Sequence, residues 1–479
     1  VERRAKMSPL LPARRAFLQQ SSLGFGALAL SCLLEDDAAA ATAAAPLDML
    51  PRIGHFAPRA KSVIMLFQNG GASQMDLFDP KPELQKRHGQ QAPEIRGGND
   101  NSLQAEPLMG SKFRFQPRGQ SGIEFSELVP HLGALADDLC VVRSMYSNDP
   151  NHPGATYMMC TCNNRPGRPT VGAWVTYALG SENQNLPGYV LLRDPGVFHT
   201  GGGMQITNGW LPAMFRGTEL RAEGDPVLNL QRTDPQPLGG QRNSLELVAR
   251  LNELQRRRFP DASVLAARIK NYELAARMQL TAAAELDLSN ETAETERQYG
   301  LDNPETAAYG RQLMLARRLV ERGVRFVQVL SPPPHNVWDH HGQLNAKLPA
   351  ICRKTDLPAA ALIRDLKQRG LLEETLVLWT GEFGRLPTSE GGTGRGHNPH
   401  GFTLLMAGGG LKGGYVHGAT DPFAYAATED RVGVPDLMAT LLHQLGLDHN
   451  RLEFNVHGIN ETLTDARVNN ATVVRDLLL

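Results

Sequence analysis

The chain has 479 residues, of which 41% are hydrophobic and 21% are charged. This composition is typical of a globular protein and excludes a collagenous or largely disordered chain. The 49 basic and 50 acidic residues leave a formal net charge of −1, so there is no general electrostatic attraction to nucleic acid or to an anionic membrane surface. We therefore expect no nucleic-acid partner.

The cysteine content argues against a disulfide scaffold and against paired zinc knuckles. The cysteines are few and scattered, and none form a CxxC pair. They are Cys32, Cys140, Cys160, Cys162 and Cys352. We expect the neighbouring Cys160 and Cys162 to be core residues.

The first 45 residues have the order of an export signal. Arg14 and Arg15 precede a mild apolar run over residues 23–34 and an alanine-rich stretch over residues 38–45. This pattern predicts a leader handled by the twin-arginine translocase, with the mature protein beginning near Ala44 in the periplasm or outside the cell. The alternatives are lipidation at Cys32 or an ordinary buried N-terminal helix. The apolar run is too short to span a bilayer.

The run Ser62–Phe67 is continuously apolar and ends in Gln68-Asn69-Gly70-Gly71, which predicts a buried parallel strand leading into a loop. Ligands of open α/β sheets bind beyond the carboxyl ends of the strands. Asn69, Asp76 and Asp79 follow this strand and are therefore candidate site residues.

The rest of the chain alternates between predicted helices and strands. We expect helices at 125–136, 244–258, 262–285, 304–322, 357–369 and 435–445. A further helix should begin at about His152, with Asn151 as its cap and Pro153 in its first turn. We expect strands at 139–142, 325–330, 375–379 and 402–406. The alternation predicts one α/β sandwich domain over residues 46–479 with a mostly parallel sheet and irregular insertions near 80–122 and 180–240.

Residues able to bind a metal recur beside three of the predicted strands. They are His335, Asp339, His340 and His341 after the strand at 325–330, Glu382 after the strand at 375–379, and His397 and His400 before the strand at 402–406. Imidazole and carboxylate together suit zinc, manganese or iron, and such sites are built from separate loops that converge at one sheet edge.

Each candidate also has a purely structural alternative. A lone histidine in a loop is usually solvated or has a local partner. Glu382 could instead pair with Arg385, and His397 could cap the following strand. Asp76 could form a turn with Asp79.

Several short motifs are spread between Ser62 and Leu479: Asn69-Gly70-Gly71 with Asp76 and the run 78–81, the runs 151–155, 338–342, 380–385 and 394–397, and the glycine-rich run 407–414. Together they resemble the bacterial family of domain of unknown function 1501 (DUF1501). That family is related to sulfatases within the alkaline phosphatase-like superfamily.

The resemblance implies an alkaline phosphatase/sulfatase-like three-layer α/β sandwich with divalent metal at the strand ends. The metal would be zinc, manganese, iron or calcium, and the reaction hydrolysis of a phosphate or sulfate ester. The implied metal ligands are Asn69, Asp76, Asp339, His341, Glu382 and His397. Asn69 stands where the superfamily generally has an aspartate, which weakens the prediction of a metal ligand at this position.

The nucleophile fits the resemblance least well, because its expected position falls near His152. No Cys-x-Pro-x-Arg motif is present, so a formylglycine sulfatase mechanism is not supported. The alternatives are His152 itself, the hydroxyl of Ser147 or Thr156, or a metal-activated water. Arg385 or Arg395 would bind the anion, because a forked guanidinium suits an oxyanion.

Two functions therefore stand at this stage. The first is an exported metal-dependent hydrolase of a small-molecule or polysaccharide ester. The second is a non-catalytic binding or scaffold protein of the cell envelope that keeps the fold, which would explain Asn69 and His152 more simply. The sequence leaves the oligomeric state open.

Overall fold

A computed structural model describes residues 48–92, 106–194, 200–222, 238–258, 269–278 and 286–479. The predicted leader and Cys32 lie outside these ranges. Within them, no helix has both the length and the apolar character needed to cross a membrane.

A nine-stranded sheet forms the centre of the fold. Its strands are β1 Ser62–Phe67, β4 Leu139–Tyr146, β5 Tyr189–Leu192, β6 Thr218–Leu220, β7 Phe326–Leu330, β8 Thr375–Thr380, β11 Phe402–Ala407, β12 Tyr415–His417 and β15 Val432–Gly433. Their order in the sheet is β12-β4-β11-β8-β1-β7-β5-β6, with β15 also paired to β4. The other strands form two-stranded ribbons: β2 Phe115–Arg118 with β3 Ile123–Ser126, β9 Gly384–Arg385 with β10 His397–Asn398, β13 Ala419–Thr420 with β14 Ala427–Glu429, and β16 Glu453–Val456 with β17 Ile459–Thr462.

All strands of the central sheet run in one direction except β11, which is antiparallel to both β4 and β8. The prediction of a mostly parallel α/β sheet is therefore confirmed. The reversed direction of β11 has a consequence for function, because the residues just before β11 lie at the same edge as the residues just after β1, β7 and β8.

Helices such as Ala307–Glu321 and Val434–Gln444 pack on opposite faces of this sheet. The helices in the described ranges span Gln74–Leu77, Pro82–Lys86, Pro130–Gly133, His152–Thr161, Val171–Leu179, Leu238–Arg258, 269–278, Ala293–Gln298, Ala307–Glu321, Leu344–Gln368, Val434–Gln444 and Ala466–Asn469.

Strand β1 shows why the fold has three layers. Successive side chains of a strand point to opposite faces. Ile64 and Leu66 enter a core shared with the helices Ala307–Glu321 and Leu344–Gln368. Val63, Met65 and Phe67 enter a second core shared with Val171–Leu179 and Val434–Gln444. The run is continuously apolar because both faces of the strand are covered.

The helix predicted at 125–136 is wrong. The segment instead contains β3, the short helix Pro130–Gly133 and a 3₁₀ turn at Ala136–Asp138. Ile123 and Phe125 are buried while Glu124 between them is exposed, which is the alternation of a strand. Pro130 then begins a separate helical turn.

Two further predictions need correction. The helix expected at 357–369 begins at Leu344 and continues through Pro349 and Pro358. Burial of its apolar face contributes more to stability than the two prolines cost by lacking a backbone N–H. The insertion expected near 180–240 contributes β5 and β6 to the central sheet itself.

Asn151 precedes the helix at His152 as predicted, but its side chain makes no capping hydrogen bond. Cys160 and Cys162 are buried, as predicted.

Asp356 joins the long helix Leu344–Gln368 to the short helix Pro130–Gly133. Its carboxylate accepts the backbone N–H groups of His131 at 2.8 Å and Leu132 at 2.9 Å. Its side chain is almost fully buried. Burial raises the pKa of Asp356 to about 7, against the opposing effect of the two hydrogen bonds.

We predict that Asp356 makes stability depend on pH. A carboxyl with a higher pKa in the folded protein than in the unfolded chain binds its proton more tightly when folded. The contribution of Asp356 to stability should therefore fall by up to about 4 kcal/mol as the pH rises from about 4 to about 7.5. D356N should lack this component. Urea unfolding of both proteins across this pH range measures the difference in their free energies of unfolding. A difference that does not change with pH would contradict the prediction.

Candidate metal centre

Four side chains converge at the carboxyl edge of the parallel strands: His152, Asp339, His341 and His397. One nitrogen or carboxylate oxygen of each lies within 4.8 Å of the others. His152 begins the helix after β4, Asp339 and His341 lie in the loop after β7, and His397 belongs to β10 just before β11. We refer to these four residues as the candidate metal centre.

The carboxylate of Asp339 is at the centre of the group. Its Oδ1 lies 2.9 Å from Nε2 of His341 and 3.3 Å from Nε2 of His397. Its Oδ2 lies 3.1 Å from Nε2 of His152. The Nε2 atoms of His341 and His397 are 2.9 Å apart.

The other nitrogen of each imidazole faces a group that can only accept a hydrogen bond. Nδ1 of His152 lies 2.7 Å from Oε1 of Glu382, and Nδ1 of His341 lies 2.7 Å from Oε2 of Glu390. Nδ1 of His397 lies 2.8 Å from the carbonyl oxygen of Pro150. When a metal ion binds, each ring is neutral: its Nδ1 would keep the proton, and its Nε2 would present a lone pair to the ion.

The electrostatics favour a positive charge among these atoms. Burial raises the pKa of Asp339, but hydrogen bonds from His152 and His397 and the charge of Arg385 outweigh it and hold that pKa well below its usual range. Burial lowers the pKa of His152, but Asp339 and Glu382 outweigh it and raise that pKa to about 9. Burial lowers the pKa of His397. Three imidazole nitrogens and a carboxylate are a donor set that zinc and similar transition metals prefer.

Glu382 lies behind the cluster rather than within it. It is fully buried, and its Oε1 accepts the N–H of Gly70 at 2.9 Å in addition to its contact with His152. Its Oε2 has no hydrogen-bond partner in the described part of the chain. Such carboxylates orient the imidazole of a ligand histidine and raise its basicity.

The guanidinium of Arg385, expected to bind an anion, is fully buried and occupied by protein groups. It donates to the carbonyl oxygens of Gly70, Gly71 and Arg395 and to Oδ1 of Asp339. Arg385 therefore ties the loops after β1, β7 and β8 together.

Arg395 and Asp76 form a separate buried pair. Nε of Arg395 lies 2.8 Å from Oδ2 of Asp76, and the same carboxylate accepts the hydroxyl of Ser73 at 2.5 Å. The structure thus places neither the predicted ligand Asp76 nor the predicted anion-binding residue Arg395 in the cluster. The oppositely charged groups neutralise each other in the interior, where an unpaired charge would be costly.

Asn69 is also outside the cluster of four. Its side chain is fully buried, and neither its amide nitrogen nor its oxygen has a partner among the described residues. Its backbone carbonyl accepts the N–H of Trp338 at 3.2 Å, next to Asp339. Asn69 thus connects the end of β1 to the loop that carries two of the four residues.

The residues considered as nucleophiles have different positions. His152 is a member of the cluster, with Nδ1 beside Glu382 and Nε2 beside Asp339. Ser147 and Thr156 are buried, and their hydroxyls have no partner in the described ranges. Thr156 follows His152 by one helical turn.

Two anchors of the cluster were missed from the sequence, namely Glu390 and the carbonyl of Pro150. Glu390 lies in a polar, glycine-rich loop, where an acidic residue is unremarkable without its partner. A backbone carbonyl leaves no trace in the sequence at all. Two other histidines of these loops, His335 and His400, are not part of the cluster.

Gly70 allows two of the loops to approach closely. It has φ of +114°, and a Cβ built on it would lie 2.5 Å from the backbone nitrogen of Asp339 and 2.8 Å from the carbonyl oxygen of Asn336. Only glycine fits without moving the loop that carries Asp339 and His341.

Comparisons with known proteins place the chain in a family. The model of the family described as protein of unknown function (DUF1501) matches residues 60–478. No curated protein matches the chain.

Several solved structures resemble it at low identity. Phosphonate monoester hydrolase SpPMH from Silicibacter pomeroyi is 16% identical, with 73% of this chain and 71% of that chain covered and a TM-score of 0.35. The PsFucS1 sulfatase from Pseudoalteromonas sp. is 15% identical, with 88% and 76% covered and a TM-score of 0.36. Alkaline phosphatase from the Antarctic bacterium TAB5 is 11% identical, with 81% and 98% covered and a TM-score of 0.29. At these values no activity carries over to this chain.

We predict that G70A destabilises the protein by about 2 to 4 kcal/mol, from backbone strain and from the displaced loop. G391A is the matched control, because Gly391 also has a positive φ but open space around its Cβ position. It should cost about 1 kcal/mol. Urea unfolding of both variants gives the comparison, and equal losses would show that Gly70 has no packing role.

Proposed function

The chain belongs to the DUF1501 family, and from the geometry of its candidate metal centre we propose that it is a metal-dependent hydrolase of phosphate or sulfate esters. One observation carries the proposal. The Nδ1 atoms of His152, His341 and His397 all face acceptors, so all three Nε2 atoms lie beside the carboxylate of Asp339, where they would bind an ion. A purely structural histidine cluster has no need of this arrangement.

The donor set narrows the identity of the metal. His152, His341 and His397 would supply nitrogen ligands and Asp339 an oxygen ligand. This set favours zinc, manganese or iron over calcium, which takes oxygen ligands. Once bound, such an ion would act as a Lewis acid on an ester oxygen and neutralise charge in the transition state.

The protein's own residues prepare the site for an anionic ester. Glu382 and Glu390 keep two imidazoles in the ligand orientation, and Arg385 offsets the charge of Asp339. The side chain of His341 is 40% exposed, which leaves the cluster open to solvent on that side. The hydroxyls of Ser147 and Thr156 belong to buried side chains, so we assign the role of nucleophile to a water molecule that enters from the exposed side.

The proposal predicts that the purified protein binds a transition metal in near-stoichiometric amount. D339N, H341A and H397A should lose it and remain folded, because the amide in D339N still accepts from Arg385, whereas H443A, a histidine outside the cluster, should keep it. E390Q should keep the fold with about 10- to 100-fold weaker metal binding. Elemental mass spectrometry on protein prepared without chelators or affinity nickel measures the content.

Retention of the metal by all three cluster variants would overturn the ligand assignment. Screening the metal-loaded protein with aryl phosphates, phosphodiesters and aryl sulfates then tests catalysis. Bound metal with no hydrolysis of any of these would favour the non-catalytic binding protein instead.

We also infer that the protein works outside the cytoplasm, exported by the twin-arginine route. The support is the order of Arg14-Arg15, the mild apolar run and the alanine-rich stretch, which lie outside the described residues. Residues 1–45 fused to a reporter should direct its export, and R14K/R15K should block it. Unchanged export of the variant would contradict the twin-arginine route.

A further inference from the structure

A pocket of about 330 Å³ lies beside the candidate metal centre, between the loop after β7 and the helix Leu344–Gln368. Asp339 lines this pocket and also belongs to the centre, so the two spaces are adjacent. Val337, Ala350 and Ile351 add an apolar part to the lining. A molecule bound at the centre therefore has room to extend into the pocket.

The charged groups of the pocket are mainly cationic. Lys347 and Lys354 both line it, and neither has a carboxylate partner among the described residues. They are seven residues apart, so they lie on one face of the helix, about 10 Å apart along its axis. Asp339 is the one acidic residue in the described lining, and Arg385 lies 2.5 Å from its Oδ1.

A buried histidine that lines the same pocket, His340, has a polar atom without a partner. The side chain of His340 is 2% exposed, and its Nδ1 has no hydrogen-bond partner in the described chain. A buried polar atom without a partner is costly unless a ligand or water satisfies it. This is a second feature that points to a polar ligand.

The arginines of the site cannot supply this contact, because Arg385 and Arg395 are fully buried and engaged by protein groups. We propose that the pocket binds a second anionic group of the substrate through Lys347 and Lys354, so that the preferred substrates are esters with more than one negative charge. The inference rests on the proposed function and specifies its substrate class. The second group would be a sulfate, phosphate or carboxylate joined to the ester by an apolar or ring-shaped part.

Non-hydrolysable sulfonates allow binding to this pocket to be measured without any reaction at the candidate metal centre. Naphthalene trisulfonate is the polyanionic probe and naphthalene monosulfonate the matched probe, both measured by isothermal titration calorimetry with the full metal-loaded protein. We expect the trisulfonate to bind more tightly. K347Q/K354Q should weaken its binding about tenfold, because two charge-assisted contacts are lost, and should leave the monosulfonate nearly unchanged.

R353Q/K367Q is the control with the same loss of charge on the same helix, since both residues lie outside the pocket and pair with Glu305 and Asp138. The trisulfonate should bind this control as it binds wild type. Equal weakening in both double variants, or none in K347Q/K354Q, would overturn the proposal.

Failure of the proposed function would be visible elsewhere, in metal content and ester hydrolysis, while trisulfonate binding persisted. Where hydrolysis is found, K347Q/K354Q should raise KM for a sulfonated aryl ester. It should leave kcat, and the KM of the same ester without the sulfonate, little changed. A fall in kcat for both esters would contradict a role limited to binding.

Discussion

Three imidazole nitrogens and a carboxylate that face one another at 2.9 to 3.3 Å need a positive charge among them, and the rest of the site depends on this constraint. Their lone pairs repel unless a proton or a metal ion lies between them. The protein prevents the imidazoles from turning away, because Glu382, Glu390 and the carbonyl of Pro150 hold each Nδ1. A cation bound there would offset the repulsion among these groups.

The sheet explains how residues far apart in sequence meet. The loops after β1, β7 and β8 lie at one edge because these strands are parallel neighbours. The antiparallel β11 brings His397 to the same edge from the opposite direction along the chain. Arg385 then joins the loops by donating to Gly70, Gly71 and Asp339, so the buried charge of Arg385 has a structural use.

The sequence predicted a mostly parallel sheet and named all four cluster residues, three of them as metal ligands and His152 as a candidate nucleophile. Strand β1 was predictable over Ser62–Phe67 because a strand covered on both faces is continuously apolar. Asp339, His341 and His397 were predictable because they flank strands. The pairing of Arg395 with Asp76 and the anchoring of His341 by Glu390 were not, since both depend on loop conformations that have no periodic signal. The long helix through Pro349 was missed because tertiary burial outweighed the local effect of proline.

The most direct test of the proposed metal ligands is a crystal structure of the metal-loaded protein, with anomalous diffraction data collected at the absorption edge of the bound metal. We predict one anomalous peak within about 2.0 to 2.2 Å of Nε2 of His152, His341 and His397 and of a carboxylate oxygen of Asp339. A peak bound to other residues, or an ordered centre with no peak in metal-saturated crystals, would contradict it.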